Sequence, residues 1–157
     1  MFVIKRLLSF ILCFLVLACF KNEINTRTTG YDPMKDPFND LETAISKTTH
    51  SGQRIILEVG GEWCIWCHRL EEFINQNGEL KEALHKNYVV VKVNYSEENK
   101  NEKFLSQYPK IDGYPHIFVL DADGSLLHSQ NTGELEAGKG YDFDKVMTFI
   151  AMWKPVS

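Results

Sequence analysis

Arg54-Ile55-Ile56-Leu57-Glu58-Val59-Gly60-Gly61-Glu62-Trp63-Cys64-Ile65-Trp66-Cys67-His68 decides the fold. Three adjacent large aliphatics followed by Val59 read as a short buried strand. Gly60-Gly61 breaks it. Beyond Cys67, the residues Leu70, Phe73 and Ile74 fall three and four apart, which is a helix face directed at a core. Cys64 then sits at the first turn of that helix, where unpaired backbone N–H groups and the helix dipole favour a thiolate. Cys67, three positions later, lies on the same side and within reach of a mixed disulfide at Cys64. A Cys-x-x-Cys pair between a buried strand and an amphipathic helix points to redox chemistry.

Three other readings fit the same residues. A lone Cys-x-x-Cys can be half of a zinc site, but the remaining cysteines, Cys13 and Cys19, stand in the N-terminal apolar segment. It can also be a purely structural disulfide. Cys64-Ile65-Trp66-Cys67-His68 further satisfies the C-x-x-C-H pattern of covalent c-type haem attachment, with His68 as axial ligand. Otherwise His68 reads as an imidazole on the helix surface.

Working outward, Asp36-Pro37-Phe38 opens a first helix, with Phe38, Leu41 and Ile45 at helical spacing. Asn77-Gly78 interrupts the helix after the cysteines, and Leu80, Ala83 and Leu84 suggest another turn or two. Tyr88-Val89-Val90-Val91-Lys92-Val93 is the clearest strand in the chain. A polar connection leads to a short helix around Phe104-Leu105. Ile117 to Leu120 is a strand, Asp121-Ala122-Asp123-Gly124 a turn, and Leu126-Leu127 the return of a hairpin. Gly133 to Gly140 reads as loop. The last helix carries Phe143, Val146, Met147 and Ile150 on one face, with Trp153 a turn later. Helices on both sides of a central sheet bury these strands economically, so the expected class is α/β.

The segments Ile56 to Cys67 and Ile111-Asp112-Gly113-Tyr114-Pro115-His116-Ile117-Phe118 together resemble the thioredoxin superfamily, in particular exported members and reductase domains whose active site reads Trp-Cys-x-x-Cys. The resemblance implies a thioredoxin-like fold, a central mixed β-sheet flanked by helices, over about residues 37–154. It implies a thiol–disulfide oxidoreductase in which Cys64 attacks and Cys67 resolves, with no cofactor and no metal. Pro115 corresponds to the family's cis-proline loop, and the backbone of Tyr114 beside it would hold an extended substrate. Glu58 stands where many members carry a buried acid and Lys92 where its lysine lies, a pair able to relay a proton to Cys67. Strand alternation leaves open that Glu58 faces solvent. Trp63 and Trp66 are expected beside the substrate, Trp63 equally as core packing. Ile65-Trp66 departs from the family's usual Gly-Pro, and Gly60-Gly61 stands where bulkier residues are common.

The N-terminus differs in kind. Lys5 and Arg6 precede an apolar run from Leu7 to Ala18, shorter than the roughly 20 residues of a comfortable membrane span. It reads as an export signal over residues 1–18. Leu15-Val16-Leu17-Ala18-Cys19 resembles a bacterial lipoprotein signal, with lipidation at Cys19. An uncleaved signal anchor and soluble release are the alternatives. Residues 19–36 read as a flexible tether. These features predict a place in the bacterial cell envelope, on its periplasmic or extracytoplasmic face, with a lipid or signal anchor in the membrane. The expected partners are exported protein or peptide thiols and disulfides, plus an upstream thiol donor or acceptor. A membrane-tethered peptide-binding module is the non-enzymatic alternative. The chain has 157 residues, enough for one domain, and a formal net charge of −4 that gives no reason to expect nucleic acid.

Overall fold

The computed structural model describes residues 29–156; the expected signal and Cys19 lie outside them. Helix α1 (Pro37–Ser51) starts where Asp36 accepts from the Phe38 N–H and Pro37 takes a first-turn position that needs no donor. It ends at Gly52, whose φ of 71° and N–H bond to the Thr48 carbonyl close the last turn. Strand β1 (Arg54–Gly60), helix α2 (Ile65–Gln76), helix α3 (Gly78–Asn87) and strand β2 (Tyr88–Asn94) follow. Next come the one-turn helix α4 (Glu102–Leu105), the hairpin β3 (His116–Leu120) and β4 (Leu126–Asn131), and helix α5 (Phe143–Met152).

The strands form one sheet in the order β2-β1-β3-β4. The β1–β2 pair is parallel, while β1–β3 and β3–β4 are antiparallel, so the sheet is mixed. Side chains of β1 alternate between two cores. Ile55, Leu57 and Val59 join Val91, Val93, Phe118 and Leu120 beneath α1 and α4. Ile56 joins Ile117 and Val119 beneath α2, α3 and α5, through Leu70, Leu80, Val146 and Ile150. Full burial of one such side chain contributes about 1.5–3 kcal/mol relative to exposure. The sheet therefore sets the Cys64 loop at the end of β1.

Two stretches differ from the sequence reading. Residues 29–36, read as the end of a tether, pack on the domain, with Thr29 and Tyr31 buried. The cause is Glu62, which accepts hydrogen bonds from this segment. Gly133 to Gly140, read as loop, includes part of a 3-10 turn (Thr132–Leu135) and the small ladder β5 (Glu136–Ala137) with β6 (Gly140–Tyr141). Leu135 and Tyr141 anchor it by entering the core. The residues beyond Asn77 form a full ten-residue helix.

Candidate active site

Cys64 is the N-cap of α2, and its Sγ accepts the Cys67 N–H at 3.1 Å. The two cysteines are joined by a disulfide, their Cα atoms 5.2 Å apart. Cys64 keeps 4% of its surface and Cys67 none, so an approaching sulfur meets Cys64 first. Once the bond opens, the same N–H and the α2 dipole favour a thiolate at Cys64. His68, the possible haem ligand, has its Nε2 2.8 Å from the Glu62 carbonyl oxygen.

The Tyr114–Pro115 peptide bond is cis, and Tyr114 packs against the pair. Thr132 holds this turn by donating to the Pro115 carbonyl. Trp63 is 58% exposed and lies edge-on to Tyr114, with ring centroids 5.6 Å apart. Its Nε1–H donates to the Tyr95 carbonyl at 2.6 Å, and Tyr95 stacks on Tyr114 at 4.8 Å. Trp66 instead turns to the domain, edge-on to Tyr141 and beneath the Arg69 guanidinium.

The paired glycines have a steric cause. A Cβ on Gly61 would stand 2.5 Å from Trp63 Nε1 and 2.8 Å from the Tyr95 carbonyl oxygen. One on Gly60 would stand 2.5 Å from Cys67 Sγ. Bulk at either position would displace the redox loop.

Glu58 lies on the α2 side of β1, lining one cavity with Ile56, Leu70 and Ile74, and is 4% exposed. It lies opposite Lys92 in the parallel register, and Lys92 Nζ donates to its Oε1 at 2.8 Å. Lys92 also donates to Glu71 at 2.9 Å. Burial opposes the Lys92 charge, but the two carboxylates outweigh it and raise its pKa. Burial likewise works against the Glu71 charge, and Lys92 with Asn75 and Lys81 outweighs it, holding the carboxyl below the usual range.

The structure thus gathers Cys64, Cys67, Glu58, Lys92, Trp63, Trp66, Tyr114 and Pro115 around one end of the sheet. Glu71 and Tyr31 join them, and sequence reasoning missed both. Glu71 had a signal, since it stands one helical turn after Cys67 on the same helix. Tyr31 had none, being a single aromatic in a polar stretch.

The sequence and the fold have counterparts. A family model described as Thioredoxin-like matches residues 36–122. The chain is 30% identical over 76 residues to a disulfide bond reductase, DsbH, of Chlamydia pneumoniae, covering 43% of this chain and 45% of that one. It is 26% identical over 125 residues to the thiol:disulfide interchange protein DsbD of a Pseudomonas strain, covering 79% of this chain and 20% of that one. It therefore spans less than half the length of these relatives. A disulphide isomerase from Xylella fastidiosa superposes with a TM-score of 0.68 at 23% identity, over 78% of this chain and 95% of that one. A DsbH oxidoreductase structure gives 0.55 at 22% identity, over 88% and 99%. With a family match across more than half its length and a disulfide capping the helix after β1, this chain belongs to the Thioredoxin-like family.

Proposed function

We propose that this protein is a thiol–disulfide oxidoreductase of the bacterial cell envelope that reduces or exchanges disulfides in exported proteins. The observation that carries the reading is the Cys64–Cys67 disulfide at the head of α2, with Cys64 outermost. The names of the DsbH and DsbD relatives support it, and the basic, then apolar, N-terminus ending at Cys19 supports envelope placement by lipidation.

The cycle conserves electrons and protons. A thiolate of an upstream donor attacks Cys64 Sγ, and the S–S electron pair departs with Cys67 as a thiolate. A second donor thiolate attacks the first donor's sulfur and expels Cys64 as a thiolate, so the donor leaves as a disulfide and the protein holds two reduced cysteines. Cys64 thiolate then attacks a substrate disulfide, releasing one substrate sulfur. Cys67, deprotonated through Glu58, attacks Cys64 Sγ, frees the second substrate thiol and restores the starting bond. Lys92 keeps Glu58 oriented for that proton. Tyr114 and Pro115 offer the substrate backbone an edge, and Trp63 an exposed aromatic face.

The test is a Cys67→Ser variant expressed in cells. Without the resolving sulfur, Cys64 should accumulate mixed disulfides that a reductant releases and that Cys64→Ser abolishes. Recovery of no linked partner under mild oxidation, with Cys64→Ser preserving the cellular phenotype, would replace the enzyme by a peptide-binding module.

A further inference from the structure

Tyr31 reaches the buried side of the disulfide from outside the residues matched by the family model. A short strap carries it there. The backbone N–H groups of Thr29 and Tyr31 donate to Glu62 Oε1 at 2.9 and 3.2 Å, and the Thr29 hydroxyl does so at 2.8 Å. The Tyr31 ring is 3% exposed and has Lys92 Nζ 5.1 Å from its centroid. Its hydroxyl donates to Glu58 Oε1 at 2.6 Å. It also lies close to Cys67. One point above the Gly60 Cα is 2.8 Å from the Tyr31 hydroxyl and 2.5 Å from Cys67 Sγ. The Tyr31 hydroxyl thus stands between the buried Glu58 carboxylate and the neighbourhood of Cys67 Sγ.

Opening the disulfide puts a new negative charge into that space. The departing Cys67 thiolate forms close to the Tyr31 hydroxyl that holds the Glu58 carboxylate, and two negative charges in a buried site disfavour each other unless donors stabilise them. Lys92 is already divided between Glu58 and Glu71. Burial and the neighbouring Glu58 charge hold the Tyr31 pKa well above its ordinary value, so its proton stays in place at neutral pH.

We propose that Tyr31 is a positioning residue for the exchange, its hydroxyl holding Glu58 in place beside Cys67 and stabilising the charged Glu58–Cys67 pair when the disulfide opens. This inference rests on the oxidoreductase reading. It gives residues 29–31 a role in tuning the resolving sulfur, with Glu62 as the clasp that delivers them.

The experiment follows the Cys67 Cβ resonance by carbon NMR across pH in the reduced full chain, for the parent and for Tyr31→Phe. Phenylalanine keeps the ring and removes the donor. The coupled Glu58–Cys67 titration read at the Cys67 Cβ should move alkaline by about one pH unit or more, the size expected for losing the hydrogen bond to the charged Glu58. A pure packing role would leave it unmoved, and an unchanged titration overturns the proposal. Should Tyr31→Phe fail to fold, Glu62→Ala decides the matter, because it loosens the strap from the exposed side. A shift of the same sign supports the proposal and no shift overturns it. Disulfide turnover by the parent separates the two levels. A chain that exchanges no disulfide sinks the oxidoreductase reading and this inference with it. An active chain whose Tyr31→Phe titration is unchanged sinks this inference alone.

Discussion

Gly60→Ala tests whether the redox loop is packed as tightly as the structure shows. Gly60 ends β1, and the added methyl would stand 2.5 Å from Cys67 Sγ, 2.8 Å from the Tyr31 hydroxyl and 2.9 Å from its ring carbon Cζ. None of these is a comfortable contact. The sulfur is tied into a disulfide and the tyrosine is held by Glu58 and the Glu62 strap, so neither side can move freely. Forcing a methyl into a filled core costs about 1–3 kcal/mol. The stiffer unfolded chain of alanine returns about 0.5–1 kcal/mol. With three atoms in the clash the cost lies at the upper end, about 2–3 kcal/mol, so the expected net loss is about 1–2.5 kcal/mol, read as a lower urea midpoint of the oxidised protein at unchanged slope. Gly78→Ala is the control. Its Cβ meets nothing within 4 Å at the start of α3, so it should be neutral or stabilising by up to about 1 kcal/mol. Adding Tyr31→Phe removes one of the clashing atoms, so the Gly60→Ala loss should shrink in that background. A Gly60→Ala protein as stable as the parent would refute the packing.

Lys92→Met strips the buried Glu58 of its cation and should cost about 3 kcal/mol, the low end for a broken buried pair because Tyr31 still donates to Glu58. Replacing Glu58 by leucine in the same chain should recover most of that loss, measured by urea unfolding; no recovery would contradict the pairing. Glu71→Gln should flatten the acid limb of stability. The folded Glu71 carboxyl titrates below its ordinary value, so its contribution is complete above the usual carboxylate range and is lost as pH falls through the folded value. Thermal midpoints over an acid pH series check this, and an unchanged acid slope counts against the Lys92–Glu71 bridge.

Most of the scaffold was legible because its signals are local. Ile55 to Val59 and Val89 to Val93 are β-branched or aliphatic runs, and Leu70, Phe73 and Ile74 keep helical period, so strand and helix follow from the chain itself. Cys64 and Cys67 were legible because their spacing and the helix start occur together. The side to which Glu58 points was not, since a strand buried on both faces lacks the alternation that would tell inside from outside. The strap was illegible for a different reason. Thr29 and Tyr31 are buried by a carboxylate more than thirty residues away, and the polar stretch around them has no period to betray it. The same holds for Leu135 and Tyr141, two apolar side chains in a turn-rich segment whose burial depends on α2 and α5 closing over them.

The most direct measurement of the account mixes the reduced protein with a disulfide-bonded peptide and follows both by intact mass. The protein should lose two hydrogens as the peptide gains two, the new bond should map to Cys64–Cys67, and Cys64→Ser should stop the transfer. A reduced protein that leaves the peptide oxidised, or that transfers hydrogens equally well without Cys64, would contradict the exchange chemistry assigned to the head of α2.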